Sequence, residues 1–360
     1  MSQAEQHSAL THFEFAGGSL ELQRYPARPG TPLQAWCSAD SLLLEYAIAS
    51  AVPAAQVLVV NDEFGALGLA LPGAACWTDS ALSQRAITEN ATRNGVIVPR
   101  VIPMDECPVG DFKLVLLRVP KQLSLLRYQL QTLRECLTAG TPVICGGMDK
   151  HLPAGVAEII SGFAGSTERH RGQRKARLFS TALEPALQAQ ESASEFFCAE
   201  LGQTLTSLPN VFSATQLDGG TRLLLSCMED MPQAERIIDL GCGNGVIGLS
   251  AMQCSQSAQL IFFDESAMAI ASARLNTQRL FPERLARCEF RHTDGLIDFP
   301  AAAAQLILCN PPFHQQHAVD EQVGKRLLRQ SAMSLPQGGE LWLVANRHLA
   351  YKSTLQRHFA

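Results

Sequence analysis

Three things are missing from this sequence, and each removes a class of function. There is no Cys-x-x-Cys pair among its 11 cysteines, so the paired thiols of a zinc ribbon or a redox centre are absent and no metal site is expected. No apolar run reaches the roughly 20 residues of a membrane-spanning helix, and Met1-Ser2-Gln3-Ala4-Glu5-Gln6 carries no signal-peptide pattern. There is no surplus of positive charge. The formal net charge is −5, which argues against general affinity for nucleic acid and leaves any such binding to local patches. The expectation is a cytoplasmic protein with reduced, buried thiols and no membrane contact.

What is present is a 360-residue chain, 46% hydrophobic and 18% charged, which describes a soluble protein too long for one core. In its first half a helical stretch near Ser38–Ser50 precedes a strand at Val57–Val60 and the turn Asn61-Asp62-Glu63-Phe64-Gly65-Ala66-Leu67-Gly68. Asp79 ends a short segment ahead of a helix stopping near Asn94-Gly95, and Leu114–Leu117 and Val143-Ile144-Cys145 are further strands. The second half repeats this order: a strand at Ile237–Leu240, a glycine turn, a strand at Ile261–Asp264 with Ser266 to cap the next helix, and a strand at Cys288–Arg291 leading to Asp294. A strand at Leu306–Cys309, a helix over about 319–335 and a strand at Leu341–Val344 follow.

The repeated order implies a duplicated α/β unit, with Gly65–Leu69 matching Gly245–Leu249. The first copy lacks counterparts of Gly241 and Gly243, and has Arg118-Val119-Pro120 where the second has Asn310-Pro311-Pro312. It keeps the scaffold and has lost the chemistry. The expected division is 1–182, a linker over 183–195 inside the polar, Ala- and Ser-rich Thr181–Glu195, and 196–360.

The second half holds the candidate chemistry. Asp239-x-Gly241-x-Gly243-x-Gly245 lies between a strand and a helix, where glycines admit a ligand to the backbone and helix N–H groups point at it. Asp264 ends the neighbouring strand, placed to accept from two ribose hydroxyls or to cap a helix. A dinucleotide site shares these features, but Val246 occupies the last glycine position of that pattern, and Asp239 would repel a pyrophosphate. Asp239 suits instead the amino group of a bound amino acid, and S-adenosylmethionine (AdoMet) offers that group, a ribose and no phosphate. Asp294 could accept from an adenine amino group or cap a helix.

Leu306–Cys309 ends at Asn310-Pro311-Pro312-Phe313. An Asn oxygen and a Pro carbonyl can together accept both hydrogens of a planar amino group, while Phe313 covers the attached ring; a plain Asn-Pro turn is the alternative. His314 and His317 lack a third ligand nearby and read as surface or RNA-facing. Cys242 and Cys309 read as small packing residues. Val211-Phe212-Ser213 and then Leu217-Asp218-Gly219-Gly220-Thr221 could be a lid over the cofactor or a turn before a helix. Arg169, His170, Arg171, Arg174, Lys175 and Arg177 form a basic patch, either a solvated loop or a phosphate contact.

With these residues the chain resembles the bacterial ribosomal RNA guanine-N2 methyltransferases, most of all the 23S branch, with the 16S enzyme a near relative. The matching stretches are Pro32-Leu33-Gln34-Ala35-Trp36, Asn61–Leu67, Lys175-Ala176-Arg177-Leu178, Asn210-Val211-Phe212-Ser213, Asp239–Leu249, Asn310–His317 and Ala345-Asn346-Arg347-His348-Leu349. The resemblance implies two tandem Rossmann-like class I methyltransferase domains, the first degenerate and RNA-binding, the second catalytic. It implies AdoMet on Asp239, the glycine loop and Asp264, the target guanine on Asn310–Phe313, ribosomal RNA as partner and no obligate protein partner.

The family closes its sheet with a β-hairpin after the fifth strand, and this sequence ends at Ala360 before one. A truncated chain with an unprotected edge at Leu341–Val344 is therefore expected; purified protein that is monomeric, stable and fully active would refute it. The rival functions are methyl transfer to DNA or a protein glutamine, a nicotinamide-dependent oxidoreductase, and an RNA-binding protein without catalysis.

Overall fold

Val57–Val60, Leu114–Leu117 and Leu306–Cys309 are continuous runs of buried apolar residues. Such runs fit only a strand covered on both faces, which is what helices do for a parallel sheet. The structure is a computed structural model that describes residues 10–27, 33–185, 193–311, 318–347 and 349–359. The chain divides into two units, Met1–Ser192 and Ala193–Ala360.

In the first unit a hairpin of β1 (His12–Phe15) and β2 (Gly18–Glu21) precedes α1 (Ser38–Ser50). There follow β3 (Val57–Val60), β4 (Ala75–Thr78), α2 (Ala81–Asn94), β5 (Arg100–Pro103), β6 (Leu114–Arg118), α3 (Leu123–Cys136), β7 (Pro142–Met148), α4 (Val156–Phe163), β8 (Glu168–Arg169) and β9 (Ala176–Ala182). The sheet order is β5-β4-β3-β6-β7-β9-β8, parallel through β7, with β9 antiparallel to β7 and to β8.

The second unit opens with another hairpin, β10 (Ser194–Cys198) and β11 (Gln203–Ser207), then α5 (Gly219–Leu225). It continues with β12 (Arg236–Leu240), α6 (Val246–Cys254), β13 (Gln259–Asp264), α7 (Ala267–Leu280), β14 (Cys288–His292), β15 (Leu306–Cys309), α8 (Ala318–Ser334), β16 (Glu340–Leu343) and α9 (Lys352–His358). Its described sheet runs β14-β13-β12-β15-β16, all parallel. Alternate residues feed two cores: Ile237, Leu260, Phe262, Leu306 and Leu308 pack under α6, and Ile238, Leu240, Ile261, Phe263 and Ile307 meet Leu327 of α8.

The five parallel strands of each unit follow the same order, and the registers coincide: Val60 pairs with Leu117 as Leu240 pairs with Cys309. Duplication extends to one buried side chain. Asn90 of α2 accepts from Gln23 N and donates to Gln23 O and Phe64 O at 2.8–3.0 Å. Asn276 of α7 accepts from Thr206 N and donates to Thr206 O and Asn244 O at 2.8–2.9 Å. Asn276 ties β11, and Asn90 the segment just after β2, to the turn after the first parallel strand of its unit.

Two expectations need correction. The segment 183–195 is structured at both ends: Leu183 N donates to Thr141 O at 3.1 Å and Glu184 N to Ala164 O at 2.7 Å, while Ser194 and Glu195 belong to β10. Polar, Ala-rich sequence can still extend a strand, as after β9, or open a hairpin, as at β10, which composition alone does not reveal. The thiols are not all reduced and buried. Cys107 and Cys136 form a disulfide, and Cys227 and Cys254 are exposed. Trp77 Nε1 donates to Pro103 O and Glu106 O, and the Tyr128 hydroxyl of α3 to Met104 O; these bonds hold the loop before Cys107 against β4 and α3.

Candidate active site

β12 lies between β13 and β15, so the strand order reverses there and a crevice opens at the carboxyl ends. Asp239 is the penultimate residue of β12, Asp264 the last of β13, and Asn310 the first after β15. The fold thus gathers Asp239, Gly241, Gly243, Gly245, Asp264, Asn310 and Pro311 at one end of one sheet. Pro312, Phe313, His314 and His317 lie outside the described residues.

The turn after β12 runs through positive φ at Gly241, Gly243 and Gly245, and Gly245 caps α6 at φ +87°. Gly248 is required for closeness: a Cβ there would lie 2.3 Å from Phe262 Cε1 and 3.0 Å from Asp239 Oδ2. That approach lets Gly248 N donate to Asp239 Oδ2 at 2.8 Å. Asp239 is fully buried, and its Oδ1 has no partner among the described residues. Burial, reinforced by the charge of Asp264, pushes its carboxyl up to about 7. An acceptor left buried in this way costs about 1–3 kcal/mol until a donor arrives. Asp264 Oδ2 accepts from Gly243 N and Oδ1 from Ser266 N, each at 2.9 Å, so the carboxylate is fixed at the strand end beside the glycine turn. These residues fit an amino acid ammonium and a ribose.

Asn310 shows the same pattern. Its Nδ2 donates to Asp218 Oδ1 and Oδ2 at 3.2 Å and to Thr221 Oγ1 at 2.8 Å, while its Oδ1 is buried with no partner among the described residues. Asp218 is the N-cap of α5. From the sequence the Leu217–Thr221 stretch is only a lid or turn; the Asp-x-x-Thr spacing before an apolar run is its one signal, and it points to a cap rather than to the site. The thiols of Cys242 and Cys309, both buried, have pKa values raised by burial, then by the carboxylates; they are not nucleophiles at neutral pH. Asp294 is buried and held at two points by Arg326 of α8.

The equivalent place in the first unit is filled by the chain itself. Asp62 is buried and accepts from Gly65 N, Ala66 N, Leu67 N and Gly68 N at 2.8–3.1 Å, using the N–H groups that a ligand would need. Arg118, in the position of Asn310, pairs with the buried Asp40. Of the basic patch in this unit, Arg174 pairs with Glu45 and Arg177 with Asp149. Arg169, Arg171 and Lys175 are exposed. Beside β8 and β9 lies an open, polar recess of about 510 Å³ that includes Tyr46, Ser166, Glu168 and Ser180.

Two family models match the chain, one over each half. The model of the RLMG N-terminal domain matches residues 10–185, and that of the methyltransferase small domain residues 202–360. The ribosomal RNA large subunit methyltransferase G of Stutzerimonas stutzeri is 40% identical over 348 residues, 95% of this chain and 92% of that protein. Its namesake in Erwinia tasmaniensis is 36% identical over 360 residues, 97% and 94% respectively. The chain belongs to the ribosomal RNA large subunit methyltransferase G family. It is a methyltransferase, and the resemblance read from its motifs stands. Among solved structures, the T. thermophilus 16S rRNA N2 methyltransferase in complex with AdoMet and guanosine superposes with a TM-score of 0.70 at 21% identity, covering 99% of this chain and 94% of that one. That likeness establishes the fold, two tandem Rossmann-like methyltransferase units.

Proposed function

We infer that this chain transfers a methyl group from AdoMet to the exocyclic N2 of a guanine in 23S ribosomal RNA. The observation that carries the reading is the pair of orphaned acceptors, Asp239 Oδ1 and Asn310 Oδ1, at the carboxyl ends of adjacent strands. The first suits the ammonium of the donor; the second suits an amino group on a base. Relatives covering nearly the whole chain, each named a ribosomal RNA large subunit methyltransferase, supply the substrate class. AdoMet supplies a methyl group made electrophilic by its sulfonium. Asp239 holds the ammonium, Asp264 the ribose hydroxyls, and the turn through Gly241, Gly243 and Gly245 the body of the donor.

A guanine amino group is a weak nucleophile because its lone pair is shared with the ring. Asn310 Oδ1 and the Pro311 carbonyl accept its two hydrogens, which orients the nitrogen and returns electron density to it. The lone pair attacks the methyl carbon, the carbon–sulfur bond breaks with its electrons going to sulfur, and N2 then loses a proton to solvent. Most of the acceleration comes from holding nitrogen and methyl in line, and the guanine must be unpaired or flipped out to reach the site.

The first unit binds RNA through Arg169, Arg171, Arg174, Lys175 and Arg177. The ion pairs of Arg174 and Arg177 are surface pairs worth about 0–1 kcal/mol, weak enough to be exchanged for phosphate. The enzyme works in the cytoplasm without an obligate protein partner, and no described helix is long and apolar enough to cross a membrane. The test is methylation of a mixture of unmodified ribosomal RNA, DNA and ribosomal protein with labelled AdoMet, followed by mass mapping. N2-methylguanosine in 23S RNA is the expected product; label in 16S RNA, in DNA, in a protein glutamine or at another atom would overturn the reading.

A further inference from the structure

An asparagine amide has a donor end and an acceptor end, and only the acceptor end is useful against an amino group. The Asn-Pro-Pro run does not say which end faces the substrate. The answer comes from α5. Asp218 is a carboxylate, which when ionised only accepts, and both its oxygens lie 3.2 Å from Asn310 Nδ2. The Thr221 hydroxyl spends its proton on Asp218 Oδ2 at 2.6 Å and therefore turns a lone pair to Nδ2 at 2.8 Å. Three acceptors converge on one end of the amide. A reversed amide would set oxygen against a carboxylate, so the donor end must point inward, and Oδ1 is left without a partner among the described residues.

The clamp is itself anchored. Asp218 Oδ1 also accepts from Gly220 N at 2.9 Å and Thr221 N at 3.1 Å. Gly220 leaves it room, since a Cβ there would press within 3.0 Å of Asp218 Oδ1 and 3.3 Å of Asn310 Oδ1. In the first unit, where the chemistry is lost, the clamp is lost with it. Cys37 is the N-cap of α1, and the cation of Arg118 stands after β6 against Asp40.

We propose that Asp218 and Thr221 are positioning residues that lock the Asn310 amide with its acceptor toward the substrate, and so restrict the site to groups that offer an N–H donor. A base presenting a carbonyl at that point meets oxygen against oxygen and is turned away. The proposal rests on the methyl-transfer reading above.

Asp218→Asn tests it at constant shape. The new side chain keeps an oxygen for the α5 cap but replaces the other acceptor by an NH2 donor, so the Asn310 amide turns its oxygen inward. At saturating RNA and AdoMet, kcat is expected to fall about 100-fold, in the range found when one preorganised hydrogen-bonding group is lost from an active site. The AdoMet Kd from calorimetry should stay within about twofold, because the substitution leaves Asp239, Asp264 and the glycine turn unchanged. Thr221→Val should lose about tenfold in kcat, and Thr221→Ser should recover it. Wild-type turnover in Asp218→Asn would overturn the proposal, as would a loss matched by equal losses of AdoMet affinity and thermal stability. Side-chain amide NMR reads the lock without turnover. The Asn310 NH2 protons should exchange slowly in the parent and quickly in Asp218→Asn; fast exchange in the parent overturns the lock. Slow exchange in a parent that methylates no guanine supports the lock and counts instead against the functional reading.

Discussion

Asp239 carries a carboxyl that burial, then Asp264, raises to about 7, and the direction of that shift has a checkable sign. The folded chain without donor holds a proton that the unfolded chain releases near pH 4. Between those values the unfolded state binds fewer protons, so stability falls as pH rises, by at most about 1.4 kcal/mol per unit. This contribution is fully present below about pH 4 and lost by about 7. Urea unfolding at pH 5 and pH 7.5 should show the decline in the parent and not in Asp239→Asn; an equal decline in both would remove the assignment. Binding of a cationic ammonium favours the ionised carboxylate, so AdoMet affinity should rise with pH and level off near 7, and Asp239→Asn should lose both the rise and most of the affinity. At Asn310 the expectation separates binding from chemistry. Asn310→Ala should bind AdoMet normally and lose turnover by about 100-fold or more, and labelled methyl transfer at the parental rate would contradict the assignment.

The buried asparagines make the same argument for whole elements. Removing Asn276 leaves Thr206 N, Thr206 O and Asn244 O buried without partners, so Asn276→Ala should destabilise the second unit by about 2–4 kcal/mol. Asn90→Ala should do the same to the first. Hydrogen exchange followed separately in β10–β11 and β1–β2 would read this, and unchanged protection would show that the hairpins do not depend on these side chains. Neither hairpin is legible in the sequence, because each is a short antiparallel pair whose pattern, such as Gly18-Ser19-Leu20-Glu21, is half polar and carries little apolar alternation. The buried parallel strands are legible from apolar runs with no charge to interrupt them. Asp218 and Thr221 give no such signal because their importance lies in Asn310, 92 and 89 residues away, and no local spacing encodes that meeting. The disulfide is hidden for the same reason, its cysteines being 29 residues apart.

At the scale of the molecule, two units share one topology and differ in what fills the crevice. In the first, Asp62 takes up the N–H groups of its own turn and Arg118 pairs with Asp40, whereas Asp239 and Asn310 keep open acceptors in the second. That asymmetry is visible in the missing glycines and in Arg118 for Asn310, but its physical form, a carboxylate folded into its own helix start, needed the structure. RNA binding by the first unit carries its own test. Reversing Arg171 and Lys175 to Glu should weaken RNA binding at every sequence and lower the salt slope by about 1 for each phosphate no longer neutralised; an unchanged slope would exclude the patch. The central claim, that only the second unit holds the donor, is tested most directly by counting and locating AdoMet on the full chain. Calorimetry should give one site per chain, and photo-crosslinked label should map to peptides within residues 236–311. Two sites, or label on the turn at Asn61–Gly68, would contradict it.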